Sequence, residues 1–191
     1  MKFLFVAVLI LLILWSIYGY FGSRVEQTEY TVIKKTNGYE IRNYPTHIVA
    51  QTTVDGSYQE SMSIGFRIVA GYIFGGNTKK EKIAMTAPVL VSNEGGSRVI
   101  SFGMPKSYTL ETLPTPTDSR VKIVEMPNKK FAVIKFSGYR TNVRIQEKEK
   151  KLLGVLSKEG IEVIGKPSYA GYNAPGTPPW MMRNEVLVEI K

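Results

Sequence analysis

The sequence contains no cysteine and a single histidine, His47. A disulfide framework, a structural zinc site and an iron–sulfur cluster are thereby excluded, because each needs cysteine thiolates or clustered imidazoles. A cysteine nucleophile and lipid attachment through a thiol go with them, and a Ser-His-Asp triad has only His47 to draw on. Acidic groups are also scarce: 16 Asp+Glu stand against 25 Lys+Arg, a formal net charge of +9. Apolar residues are not scarce. At 43% of 191 positions they suffice for the core of one globular domain and argue against disorder.

Charge is missing altogether from Phe3 to Tyr20, FLFVAVLILLILWSIYGY. As a helix this run is ~27 Å long, close to the hydrocarbon thickness of a bilayer. Trp15, Tyr18, Tyr20 and Phe21 gather at its far end, where aromatic rings favour the membrane–water interface. A cleaved signal peptide needs small residues one and three positions before the cut, and Ser16–Ser23 offers bulky aromatics at nearly every choice. The expectation is a transmembrane signal-anchor over 1–22 and a folded domain over 23–191. Lys2 and the α-amino group precede the run, while Arg24 is offset by Glu26 and Glu29, so the domain is expected on the exported side. Without residues 1–22 the chain keeps 24 basic and 16 acidic groups, net +8. The lysines cluster at Lys79–Lys82, Lys129-Lys130 and Lys148–Lys151 and suit a solvated surface beside anionic headgroups. No zinc finger, ribonucleoprotein signature or basic recognition helix is present, so no nucleic-acid partner is expected.

Tyr39–Gln59 and Val121–Thr141 share one pattern at an offset of 82 residues: Ile41 falls on Ile123, Pro45 on Pro127, Ala50 on Ala132 and Gly56 on Gly138. Each copy reads as strand, proline-marked turn, longer strand, glycine and helix, which suggests duplication. Ser57 and Glu60 form a capping box for a helix from Tyr58 to Phe74, ended by Gly75-Gly76-Asn77. Thr141 or Asn142 caps a second helix through Leu156, stopped by Gly160. Strands are expected near Ala87–Val91 and Arg98–Met104, around the turn Asn93–Gly96, and near Ile161–Ile164, Tyr169–Tyr172 and Glu185–Ile190. The fold class is α+β: two repeated halves forming a curved, mostly antiparallel sheet or distorted barrel with two long helices, plus the N-terminal transmembrane helix.

On the first of those helices Met62, Phe66, Val69 and Ile73 form a normal core stripe, and Ile64, Ile68 and Tyr72 form a second ridge beside it, with Arg67 on the polar side. A helix resting on one sheet needs a single stripe, so the extra ridge either packs under a loop or walls a pocket. Ile and Tyr next to Lys and Arg suit a flat, apolar, anionic ligand; a tetrapyrrole with two propionates fits, and so does a fatty acid.

Six segments in order carry a resemblance: YEIRNYP (Tyr39–Pro45), GSYQESMSIGFRIVAGYIFGGN (Gly56–Asn77), KIAMTAPV (Lys82–Val89), YTLETLPTP (Tyr108–Pro116), FSGY (Phe136–Tyr139) and AGYNAPGTPPWMMRNEVLVEI (Ala170–Ile190). From Glu29 to Lys191 the chain resembles the SOUL haem-binding protein family. The resemblance implies a distorted barrel of two repeated halves and binding of haem or a related tetrapyrrole, not covalently attached, in an apolar groove beside the first long helix, without turnover as a defining trait. It maps the groove to Ile64, Arg67, Ile68 and Tyr72, and adds Tyr172 and Glu185. The architecture is also similar to effector-binding domains of bacterial multidrug-responsive regulators, which hold apolar cations with a buried Glu and aromatics. On that alternative the site is an effector-binding or hydrolytic pocket centred on Glu185.

His47 is the candidate axial ligand to iron, provided its Nε2 faces the groove; otherwise it is a surface histidine two positions after Pro45. Met85 and Tyr72 are weaker donors. Met181-Met182 beside Trp180 is either a lip over the groove or a surface turn. Strand alternation sets Glu185, Leu187 and Glu189 on one face and Val186, Val188 and Ile190 on the other, so a site role for Glu185 requires it to tilt inward. Gly75–Lys79 lacks the Walker spacing and ends a helix instead of starting one.

Overall fold

The computed structural model describes residues 2–191. Its elements are α1 (Lys2–Gly22), β1 (Glu26–Gln27), β2 (Thr31–Lys35), β3 (Glu40–Tyr44), β4 (His47–Val54), α2 (Tyr58–Ile73), β5 (Thr86–Ala87), β6 (Val89–Glu94), β7 (Ser97–Gly103), β8 (Lys122–Met126), β9 (Lys129–Phe136), α3 (Asn142–Lys158), β10 (Ser168–Gly171), a single 3-10 turn at Pro179–Met181, and β11 (Asn184–Ile190). Nine strands form one curled antiparallel sheet in the order β2-β3-β9-β11-β10-β6-β7-β4-β8. The short β1 and β5 pair in parallel beside it.

Local chemistry sets the element boundaries. The Ser57 side chain accepts the Glu60 amide and the Glu60 carboxylate returns to the Ser57 amide, closing the capping box of α2. Thr141 caps α3 through the Arg144 amide. Gly95 and Gly96, at φ of 55° and 98°, make the tight turn between β6 and β7 that L side chains disfavour. The expected strand at Ile161–Ile164 shrinks to one bridge, Val163 to Ile190. Its neighbour β11 is already paired on both sides, by β10 and β9, over most of its length.

The repeat is visible in the pairing. Glu40 faces Val133 and Tyr44 faces Lys129 across β3 and β9. Moved by 82 residues, the same contacts return as Lys122 to Gln51 and Met126 to His47 across β8 and β4. The halves exchange strands in these two pairings and meet again where β6 and β10 pair antiparallel, Val91 opposite Tyr169. One sheet face carries α2 and α3 over the main core, with Ala50, Val69, Ile100, Phe102, Leu152 and Val186 buried. The other face holds a smaller apolar cluster of Ala87, Val133, Ala170, Tyr172 and Leu187, onto which Val25 and Phe131 pack. β11 alternates between them as its sequence requires.

Candidate functional site

Between β10 and β11 the chain folds back over the end of the sheet. The Gly138 amide donates to the Pro179 carbonyl at 2.8 Å, and Asn184 Nδ2 donates to the Gly138 carbonyl at 2.8 Å. Gly138 sits at φ 89°, a backbone that admits glycine most readily. Asn173 accepts the Arg183 amide through Oδ1 and donates to Ser23 Oγ through Nδ2. Thus pinned, the loop faces one flank of α2 across a cleft of about 250 Å³ walled by Met62, Phe66, Val89, Tyr172, Pro175 and Met182. Tyr139 and Arg140, both exposed, line its edge. Apolar walls with a cation at the edge are what a flat amphipathic acid needs. The volume lies just below the ~300–1,000 Å³ of enclosed ligand pockets, so a bulky ring would be gripped over part of its surface.

The sequence-expected residues divide between three places. Tyr172 lines the cleft. Tyr72 is buried under the loop at Pro114, to whose carbonyl its hydroxyl donates at 2.9 Å; burial pushes the phenol up to about 12. Ile68 packs into the main core, while Ile64 and Arg67 are exposed on the opposite flank of α2, where Arg67 Nε donates to the Ser63 carbonyl. Met62 and Phe66, expected as plain core, are the α2 residues that reach the cleft. On the wheel they stand to one side of the fully buried line of Ser61, Val69 and Tyr72, and only the place where the Ala174–Met182 loop lands shows that this side walls a cleft.

Glu185 keeps the Leu187 face that alternation gives it and is fully buried there without tilting, because that face is covered. Arg42 grips it with two hydrogen bonds, Nη1 to Oε2 at 2.8 Å and Nη2 to Oε1 at 3.0 Å, Arg183 Nε reaches Oε1 at 2.9 Å, and the Tyr172 hydroxyl donates to Oε2 at 2.9 Å. Arg42 is capped by the Tyr30 ring at 4.1 Å and Arg183 lies 3.7 Å over the Tyr172 ring. Burial alone would raise the Glu185 carboxyl, but the bonds and charges of Arg42 and Arg183 hold it below the ordinary carboxylate range. Burial next to that carboxylate drives the Tyr172 phenol well above its usual value. Both carboxylate oxygens are engaged by the chain's own cations, which leaves no charge for a bound cation to answer.

A family model, that of the SOUL heme-binding protein, matches residues 25–189. Heme-binding protein 2 of Mus musculus is 31% identical over 169 residues, 80% of this chain and 82% of that protein. Heme-binding protein 2 of Homo sapiens is 32% identical over 146 residues, 72% and 71% of the two chains. The chain belongs to the SOUL heme-binding protein family. The crystal structure of the EcmrR C-terminal domain aligns with it at a TM-score of 0.64, covering 85% of this chain and 98% of that one at 7% identity, a likeness of fold alone.

In this SOUL domain the donor set for iron within the cleft is thin. Its lining supplies the thioethers of Met62 and Met182 and the phenol of Tyr139, the Tyr172 hydroxyl being committed to Glu185. His47 opens β4 with Nδ1 2.8 Å from the Pro45 carbonyl and lines a separate recess of about 70 Å³ with Tyr44, Val49, Met126, Phe131 and Leu187. Among the described residues no three carboxylate or imidazole groups gather into a metal-holding cluster. What the cleft offers is thus apolar contact and a cationic edge, with few groups able to bond a metal.

Proposed function

We propose that the protein is a membrane-anchored binding module that holds haem or a related tetrapyrrole reversibly in the α2 cleft, for buffering, delivery or sensing. The observation that carries this reading is the apolar cleft with Arg140 at its edge, in a chain whose family and relatives are named for haem binding. Met62, Phe66, Tyr172 and Met182 take the ring, and Arg140 takes a propionate. Haem, when bound, supplies its iron to exchange or sensing; the chain's residues hold the ring and screen it from water.

Anchoring is supported by α1, 21 residues long, apolar throughout after Lys2 and almost wholly exposed. With Lys2 on the cytoplasmic side, the domain stands on the exported side. The effector or hydrolytic reading centred on Glu185 has less support, since Arg42 and Arg183 already occupy that carboxylate.

The test is a titration of the full chain in detergent micelles with ferric haem and with metal-free protoporphyrin, following absorbance and Trp/Tyr quenching. Saturable one-to-one uptake of both is expected. Arg140→Glu and Met182→Glu should each weaken both ligands by about tenfold, the effect of ~1.4 kcal/mol. Unchanged affinity in both variants puts the ligand elsewhere.

A further inference from the structure

Helix α1 does not leave the domain freely; its last two turns lie against the loop that closes the cleft. Gly19 is the buried residue of α1, and a Cβ there would stand 2.5 Å from Pro178 Cδ. The Trp15 Nε1–H donates to the Gly176 carbonyl at 2.7 Å, and the Trp15 ring meets Trp180 edge to face at 5.2 Å. Gly22 faces Ala174. Trp180 is 53% exposed and shares an open apolar furrow with Leu9, Leu12, Ile13 and Ile17.

Height along α1 decides what covers that furrow. Trp15 lies seven residues before Gly22, so Trp180 sits ~10 Å back along the helix from its domain end. If the bilayer surface were drawn at Trp15, the run from Phe3 would cross only ~20 Å of hydrocarbon, short of the ~30 Å it must span. The surface must lie nearer Tyr20, and Trp180 is then on the lipid side of it. The loop is built for that position. Pro178 and Pro179 have no amide to leave unpaired. Thr177 is buried with its hydroxyl donating to the Ala174 carbonyl. The Pro178 and Pro179 carbonyls accept the Met181 and Met182 amides, and the Gly176 carbonyl accepts Trp15.

Resting on the membrane reading above, we infer that the Ala174–Met182 loop is a wedge seated in the bilayer interface, so that the cleft opens at headgroup level and takes an amphipathic, lipid-dissolved ligand from the membrane. Met182 lines the cleft and Trp180, two residues away, faces the furrow, so the wedge joins the two surfaces.

The chain has two tryptophans, Trp15 and Trp180, so two single-tryptophan proteins test the inference. Full-length Trp15→Phe and Trp180→Phe are placed in phosphatidylcholine–phosphatidylglycerol vesicles containing lipids brominated near the headgroup end of the acyl chains. Quenching of both Trp180 and Trp15 is the expected result. Quenching of Trp15 alone overturns the wedge and leaves the anchor standing; quenching of neither overturns the anchor and the wedge together. Vesicles loaded with metal-free protoporphyrin supply the second readout. Transfer to the wild-type chain should rise in proportion to acceptor-vesicle concentration, and Trp180→Gln should slow it while leaving affinity in detergent unchanged. A transfer rate that ignores vesicle concentration means that the ligand passes through water, and overturns the membrane route.

Discussion

At the scale of single residues, the Arg42–Glu185 pair dominates the energetics. A fully buried ion pair costs several kcal/mol of desolvation per charge, so removing one partner is worse than never having had the pair. Glu185→Gln should therefore lower stability at pH 7 by ~3–5 kcal/mol, read as the denaturation midpoint of the full chain in detergent. The Glu185 carboxyl is held down in the folded state. Its contribution is present above the unfolded value of ~4.3 and is lost as pH falls through the folded value, so wild type and variant should converge in acid. A midpoint that barely moves at pH 7 would sink this account. Half of the pair was legible: alternation put Glu185 on the face opposite Val186. Arg42 was not, because its partner lies 143 residues away and the β3–β9–β11 order that joins them is a tertiary fact. His47 was legible as a strand residue but not as a ligand. It lines its own recess, and His47→Ala should leave the haem Soret band unaltered.

At the scale of elements, α2 shows where periodicity stops being informative. The wheel located its buried stripe, and Ser57 located its start. Gly65 lets α2 approach the sheet closely, since a Cβ there would stand 2.6 Å from Ile100 Cδ1. Gly65→Ala gains ~1 kcal/mol of helix propensity. It loses ~1–3 kcal/mol to overpacking, because Ile100 is fully buried with no room to turn. Packing should win, with Tm falling by several degrees and α2 shifting on β7; a raised Tm would show that Ile100 can move. Met62 and Phe66 teach the same lesson from the other side. They stand half-buried to one side of the fully buried Ser61, Val69 and Tyr72, and a loop more than 100 residues later turns that side into a cleft wall. Ile64 and Ile68 carry equally apolar side chains, but the loop does not land beside them.

At the scale of the whole molecule, the repeat supplies two clefts and the sequence makes them unlike. The flank of α3 faces a recess of about 140 Å³ in which Asn93, Arg98, Asn142, Gln146 and Glu149 stand beside Val91, Ile145, Pro167 and Tyr169. This is the α2 cleft carried across the junction of β6 and β10: Pro167 takes the place of Val89, Asn93 that of Gly171, and Gln146 that of Met62. The backbone is repeated but the chemistry is not. Burial raises the Glu149 carboxyl, so an apolar ring pushed into this recess would strip water from Glu149, Gln146 and Asn93 without offering them hydrogen bonds. Ring burial at ~25 cal/mol per Å² of apolar area does not offset several unpaired polar groups at ~1–3 kcal/mol each. The molecule should therefore bind one tetrapyrrole per chain despite its two-fold architecture. Titration of the full chain at concentrations well above the dissociation constant should break sharply at one equivalent of protoporphyrin. A break at two equivalents would mean that ring contact with the shared backbone frame, and not the side-chain lining, governs binding. Gln146→Met together with Glu149→Leu, which restores apolar walls to the second recess, should move the break toward two.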